Sequence, residues 1–594
     1  VALAENDLFV GANGSDGGKG SIFLFSRTTD GWLHSANLSA DDLSGRAGLG
    51  SSLAFSNTAQ TLYAGSPGQS GGGAVHMYER DNSGEWKHGG FIAQPEPATA
   101  DERLKAGLGS GIAVSDGTLL IGARNAAFYF SGSLVAIPQP VERRGAFFGT
   151  GLALRNGVAL IGSPSADYEE GVTDVFEYSS TGDGAEMNWT FQSTLASEIA
   201  FMSSITGDQV NCEEGSAQGF ECSNVDMISF MSASELTSHR GVKMTDIWGW
   251  EDPVTGKEWV LQARTDGTAF VDISNPSKPL YVGQLYRTEG SPGSSWRDVK
   301  VYKDHAYIVA DGADQHGVQI FDLTQLRDVD PAAMPVTFEE TAHYAGTAST
   351  HNVVINEETG FAYAVGNRSG GENMCGGQLH IFDIREPAEP KFAGCFSEGQ
   401  GGTHDAQCVV YRGADAEYAG AEVCFASNGS SFVIANVSDK DSTVTIANTS
   451  YPNQAYTHQG WLTEDQNYFF MNDELDEMNG SVEQTRTLIW DVSDLDDPQL
   501  VKEFYLDSGA SDHNLYIRDN LMYQSNYQAG LRIIDISDPE NPVEVGHFDT
   551  TPYAGDEAGF GGSWSNYPYF KSGVIAVSSR SEGLFILKKK SVDL

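Results

Sequence analysis

From about residue 246 onward one phrase returns seven times: an apolar run, then Asp, an apolar residue, Ser or Thr, and often a later Pro. It reads AFVDISNPSKP at 269–279, QIFDLTQL at 319–326, HIFDIREPAEP at 380–390, LIWDVSDLDDP at 488–498 and RIIDISDPENP at 532–542. FVIANVSDKDS at 432–442 and LFILKKK at 584–590 are weaker copies. A unit of roughly 40–55 residues made of short β-branched and aromatic runs cannot bury its apolar face alone. Such units stack on their neighbours, as the blades of a β-propeller do. Opening strands are expected near Asp246, Trp296, His351, His404, His458, His513 and Trp564. The last blade has only three strands of its own, and NVDMISFMSA at 224–233 has the alternation of the missing outer one. Sharing that blade between the two ends would close a seven-bladed ring and remove an exposed strand edge.

The N-terminal third carries a different repeat. FVGA at 9–12, YAGS at 63–66, IGAR at 121–124 and IGSP at 161–164 are each followed by a Gly-led strand, GSIFLF, GAVHMY, GSLVAI and GVTDVFEY. Three Trp-led strands come next, at 31–38, 85–92 and 188–195, and the first unit shows no opening strand. This array resembles FG-GAP repeats, the units of integrin-type propellers. Its turns SNTAQ, SDGT and RNG lack the clustered carboxylates of a calcium loop, so calcium is not expected there. The expected class is all-β, with two tandem β-propeller domains. Residues 1–199 form the FG-GAP-like propeller, 200–223 a disulfide-containing connector and 224–594 the seven-bladed propeller. The chain opens on VALAENDLFVGA, already inside a repeat, so further residues are expected to precede it.

Charge narrows the partners. With 35 Lys+Arg against 81 Asp+Glu the net charge is −46, a field that repels nucleic acid and anionic lipid. No apolar stretch reaches the ~18–20 residues of a membrane span. Six cysteines fall into three local pairs, Cys212 with Cys222, Cys375 with Cys395 and Cys408 with Cys424. Even number, local spacing and the lack of a CxxC knuckle point to disulfides and an oxidising compartment. Eight Asn-x-Ser/Thr sequons, at Asn13, Asn37, Asn188, Asn367, Asn428, Asn436, Asn448 and Asn479, are glycosylation candidates if the chain passes through a glycosylating secretory route.

Several longer strings are more specific. DIWGWEDP at 246–253, SSWRDVKVY at 294–302, HNVVINEETGFAYAVG at 351–366, THDAQCVVY at 403–411, THQGWLTEDQNYFFMNDELDE at 457–477 and DHNLYIRDNLMYQSNYQAGLRIIDISDP at 512–539 resemble the choice-of-anchor B family of LVIVD-repeat surface proteins. The resemblance spans about residues 205–590. It implies export and display at the cell surface, and it supplies no enzymatic activity.

Four consecutive blades open with histidine, at His351, His404, His458 and His513, and Asp246, Asp298 and Trp564 take that place elsewhere. Second strands end on Arg264, Asp311, Asn367, Asn428, Asn472-Asp473-Glu474 and Asn526, beside the same rim. A structural reading has each imidazole bonded across to the next blade, and repetition in successive blades favours it. A metal reading uses neutral imidazoles beside a carboxylate to ligate a divalent ion such as zinc. Imidazoles on successive blades are expected to stand too far apart for all four to share an ion, which leaves two neighbours with Asp405 or Glu474. Calcium is the other candidate ion, at the acidic run NDELDEMNG (472–480), where a solvated loop is the plainer expectation. No GxSxG elbow, Walker loop or dinucleotide fingerprint occurs. A secreted or cell-surface binding scaffold for a protein, a glycan or its own copies is therefore expected. The alternative is an extracellular metal-dependent hydrolase or lyase using the His rim.

Overall fold

A computed structural model describes residues 1–94, 106–141, 143, 145–180, 187–368, 370–371, 373–399 and 401–590. The chain divides into two compact units, Val1–Ile199 and Ala200–Leu594, both built from mainly antiparallel sheets. Among the described residues no helix is long and apolar enough to cross a membrane.

Among the described residues the first unit holds four four-stranded sheets. Its opening strand is present after all: Ala2–Ala4 pairs with Asp7–Ala12, and three residues suffice because Ala2 and Ala4 already reach the core. In the third sheet GSLVAI supplies the fourth strand, Leu134–Ile137, and not the third. There Ala123 pairs with Ala126, so a two-residue turn starts the third strand at once, where the other sheets use a longer Gly-rich loop. The repeated Gly of FVGA, YAGS and IGAR has a steric cause. A Cβ on Gly11, Gly65 or Gly122 would lie 2.0, 2.0 or 1.7 Å from the carbonyl oxygen of Gly50, Gly109 or Gly149, the residues that lead into the next sheet. Only a bare backbone lets neighbouring sheets approach this closely.

Among the described residues the second unit holds seven sheets, each with at least three successive antiparallel strands, and Val336–Phe338 adds a parallel fifth strand to the first of them. Their first strands are Met244–Glu251, Arg297–Tyr302, Asn352–Asn356, Asp405–Val410, Thr457–Leu462, Leu515–Arg518 and Ser563–Tyr567. Each first strand lies against the next, and Ser563–Tyr567 lies against Met244–Glu251. Val225–Ser232 pairs antiparallel with Gly583–Lys589 and completes the seventh sheet from the far end of the unit. Apolar side chains meet between adjacent sheets: Phe425 and Ile434 of the fourth pack with Phe469 and Leu488 of the fifth, and Phe270 of the first stacks on Phe321 of the second at 4.7 Å. Burial on both faces explains why these strands read as continuous apolar runs.

The Asp of the repeated phrase ends the third strand and turns the chain. Asp272, Asp322, Asp383, Asp491 and Asp535 each accept, through Oδ1, the backbone N–H two residues on, at 2.8–3.0 Å. Asn436 does the same at 3.0 Å, so the weaker copy keeps the turn. A short side-chain acceptor that mimics a backbone turn is what this position requires.

All three cysteine pairs are bonded. Cys408 and Cys424 sit directly opposite each other on the first two strands of the fourth sheet. The connector is more than a link, because Phe220–Ser223 pairs with Val543–Phe548 and extends the sixth sheet. Phe220 drives this by packing against Phe548 and Phe585, with ring centroids at 5.6 and 5.5 Å.

Candidate functional site

The register of the first strands brings the four histidines into one arc. Ring centroids are 4.3 Å apart for His351 and His404, 4.1 Å for His404 and His458, and 4.5 Å for His458 and His513, and Trp564 follows His513 at 4.7 Å. Neighbouring rings along the arc are thus in direct contact.

Three of the rings are tied by one nitrogen. His404 donates from Nδ1 to the His458 carbonyl at 2.8 Å, and His513 bonds the Trp564 carbonyl through Nδ1. His351 Nδ1 lies 3.0 Å from Asp311, which also pairs with Arg368 at 3.1 Å. Burial raises Asp311, but these two partners outweigh it and hold the carboxyl below its usual range. His458, 1% exposed, makes no hydrogen bond within 3.5 Å at either ring nitrogen, although the Asn472 side chain interacts with it. Burial keeps His404 and His458 far below the ordinary imidazole range and brings His513 to about 3, so all three are neutral.

Of Asp405, Asp473 and Glu474, the carboxylates expected as ligands, Glu474 is the one that joins the arc. It stands 3.7 Å from Nε2 of both His458 and His513 and accepts the Tyr527 hydroxyl at 2.6 Å. Burial pushes it up to about 7. Asp473 instead accepts from Tyr451 Oη and the N–H groups of Ala455 and Tyr456 at 2.6–2.8 Å, which pins the preceding loop. The acidic run is not solvated. Asp476 is fully buried and paired with Arg486 at 2.7 Å, and Glu477, buried beside it, is pushed up to about 10.

The second-strand amides brace the rim. Asn367 accepts the Thr350 hydroxyl at 2.6 Å and Asn428 the Thr403 hydroxyl at 2.7 Å, each Thr standing just before a rim histidine. Both amides are buried, which removes these two sequons from reach in the folded chain, whereas Asn13, Asn37, Asn188, Asn448 and Asn479 are exposed.

Asp405 faces a different place. A cavity of about 520 Å³ opens further along the same first strands, walled by Trp248, Trp461, Tyr516, Tyr567 and Tyr569. Lys300 and Asp405 also line it. Lys300 pairs with Asp298 at 2.5 Å and Asp246 at 3.3 Å, and its Nζ lies 4.6 Å from the Trp248 ring centre. Burial opposes every charge here. Even so, Lys300 holds Asp246 below the usual range, while burial and the neighbouring Asp246 push Asp298 well above it. Burial likewise raises Asp405 to about 6. Spacing along the sequence did not reveal these rings. The available signal was that four of the five lie two residues beyond a polar residue on their strand, as Trp248 follows Asp246, Trp461 follows Gln459, Tyr516 follows Asn514 and Tyr567 follows Ser565.

In the first unit Asp42, His76 and His88 also come together. Both nitrogens of His76 are engaged there, with His88 at 3.0 Å and Gln69 at 2.9 Å, and burial brings its pKa to about 4.

A sequence model of the LVIVD repeat matches residues 265–286 and 513–550. The chain carries LVIVD repeats. The first spans the third and fourth strands of the first sheet, and the second begins at the rim residue His513. No curated protein matches the chain in sequence. Among solved structures it is similar to PorZ, a bacterial surface component of the type-IX secretion system of Porphyromonas gingivalis. That similarity has 12% identity and a TM-score of 0.38, over 99% of this chain and 68% of that one. It is also similar to the C-terminal WD40 domain of Sif2, at 10% identity and TM-score 0.34, over 73% and 93%. A functionally unknown protein from Desulfotomaculum acetoxidans DSM 771 matches at 11% and 0.37, over 61% and 99%.

Proposed function

We propose that this LVIVD-repeat chain is a secreted or cell-surface binding protein of the choice-of-anchor B type. In this reading it has two tandem β-propellers, an FG-GAP-like one and a seven-bladed one whose ends share a blade. The cyclic contact of the seven first strands and the pairing of Val225–Ser232 with Gly583–Lys589 support that architecture. Three disulfides suit an oxidising compartment.

The observation that carries the binding reading is the aromatic cavity. Five rings wall about 520 Å³ of space that Lys300 and Asp405 also line, which is the size and make-up of a small-ligand pocket. Flat apolar faces beside hydrogen-bonding groups suit a sugar ring, whose C–H face stacks while its hydroxyls pair with Lys300 and Asp405. Of the protein, glycan and self-assembly partners, a glycan therefore fits best. The hydrolase or lyase alternative gains no support.

Calorimetric titration with a panel of neutral and acidic oligosaccharides tests this. Saturable binding is expected, weakened about tenfold by Trp461→Ala, the loss of about 1.4 kcal/mol. Absence of binding across the panel, or equal binding by a Trp461→Ala variant with unchanged melting, overturns the glycan assignment.

A further inference from the structure

We propose that His458, His513 and Glu474 form a site for one divalent first-row transition ion, separate from the aromatic cavity and independent of what that cavity binds. One donor atom from each of the three side chains lies within 4.8 Å of the others, a spread that a four-coordinate ion with bonds of about 2.0–2.2 Å can draw together.

Each ligand is already aimed. His513 is held at Nδ1 by the Trp564 carbonyl, which fixes the tautomer and leaves Nε2 with its lone pair toward Glu474. An imidazole ligand anchored through its other nitrogen is the usual supporting arrangement around a metal. Glu474 is oriented by the Tyr527 hydroxyl at 2.6 Å. The independent observation is His458. A buried imidazole with no hydrogen bond within 3.5 Å at either nitrogen, and only the looser contact with the Asn472 side chain, gives up bonds that water would supply. An ion on Nε2, the atom 3.7 Å from Glu474, would use that lone pair. Two imidazoles and one carboxylate favour zinc-like ions over calcium or magnesium, which take oxygen donors. Three protein ligands leave a fourth position for water or for a group from a partner.

The test is titration of the full chain with Zn²⁺, and with Co²⁺ followed by its visible d–d absorption, in enough salt to screen the acidic surface. One equivalent should bind, with a Co²⁺ spectrum of low coordination number. Glu474→Gln keeps the shape and an acceptor for Tyr527 and should weaken binding about tenfold or more, as should His513→Gln. Asp494→Asn, at an exposed member of the group Asp415, Asp494 and Asp496, should leave the affinity unchanged. The proposal is overturned by lack of saturable binding. It is equally overturned if Glu474→Gln binds like the unaltered protein, or if the Asp494→Asn variant is the one that loses the ion. Should His513→Gln fail to fold, Glu474→Gln decides alone, its melting curve serving as the control.

Discussion

Gln262 donates from Nε2 to the Ser578 hydroxyl at 2.8 Å, joining positions 316 residues apart. Ser578 in turn donates to the Thr245 carbonyl, so the first and seventh sheets are tied by a buried polar chain as well as by the shared sheet. Glu258 adds a second tie by accepting from Ser572 N and Oγ at 2.8 and 2.6 Å.

This seam should be a principal determinant of the second unit's stability. Phe230 is fully buried and stacks on Phe585 at 4.5 Å. Phe230→Ala is expected to cost about 3–5 kcal/mol. Scanning calorimetry should show the loss in one transition, with the transition of Val1–Ile199 unmoved.

The bond between Cys408 and Cys424 closes a loop with a sequence separation of 16. Replacing both by Ala should lower stability by about 2–4 kcal/mol in denaturant titrations. Alkylation of the unreduced, unfolded protein should label no cysteine, and any labelled thiol would contradict the pairing.

Asn428 should behave as a brace and not as a glycan acceptor. Asn428→Ala leaves the buried Thr403 hydroxyl without its 2.7 Å acceptor and should cost about 1–3 kcal/mol. Glycopeptide mass spectrometry of protein secreted from a glycosylating host should find occupancy confined to exposed sequons such as Asn37 or Asn448, and none at Asn367 or Asn428.

Asp405 should leave a signature in the pH dependence of stability. Its neighbours are Lys300, which favours its charge, Asp246, which opposes it, and His351 and Tyr516. Burial lifts it to about 6, above the roughly 3.9 of an unfolded chain. Between those values the folded protein holds the extra proton. Its stabilising share is full below about pH 4 and is lost as pH rises to about 6. Asp405→Asn does not titrate, so its stability relative to the unaltered protein should improve by on the order of 1–3 kcal/mol from about pH 4 to about pH 6 and then level off. A pH-independent difference between the two proteins would refute this.

The blades were legible because two local necessities recur at fixed offsets. An apolar run buried on both faces must end, and Asp272, Asp383 or Asp535 ends it by capping the N–H two residues later. The His rim was legible for the same reason of register. The aromatic cavity was not, because Trp248, Trp461, Tyr516 and Tyr567 line it from different strands with a mixture of Trp and Tyr and no common flanking phrase. The burial of Asp476 and Glu477 was hidden too: their partner Arg486 opens the following strand, and clustered acids read as a wet loop until that cation is placed.

The pairing of Val225–Ser232 with Gly583–Lys589 also sets a timetable. All eight residues of Val225–Ser232 are buried in the finished sheet, yet on a ribosome they emerge long before their partner. At about 5–20 residues per second, that sticky segment waits tens of seconds with an unpaired edge. Premature termination anywhere before Gly583 would make the wait permanent. Truncated products are then prone to self-association through this strand, and quality control of nascent chains becomes a requirement of the fold itself.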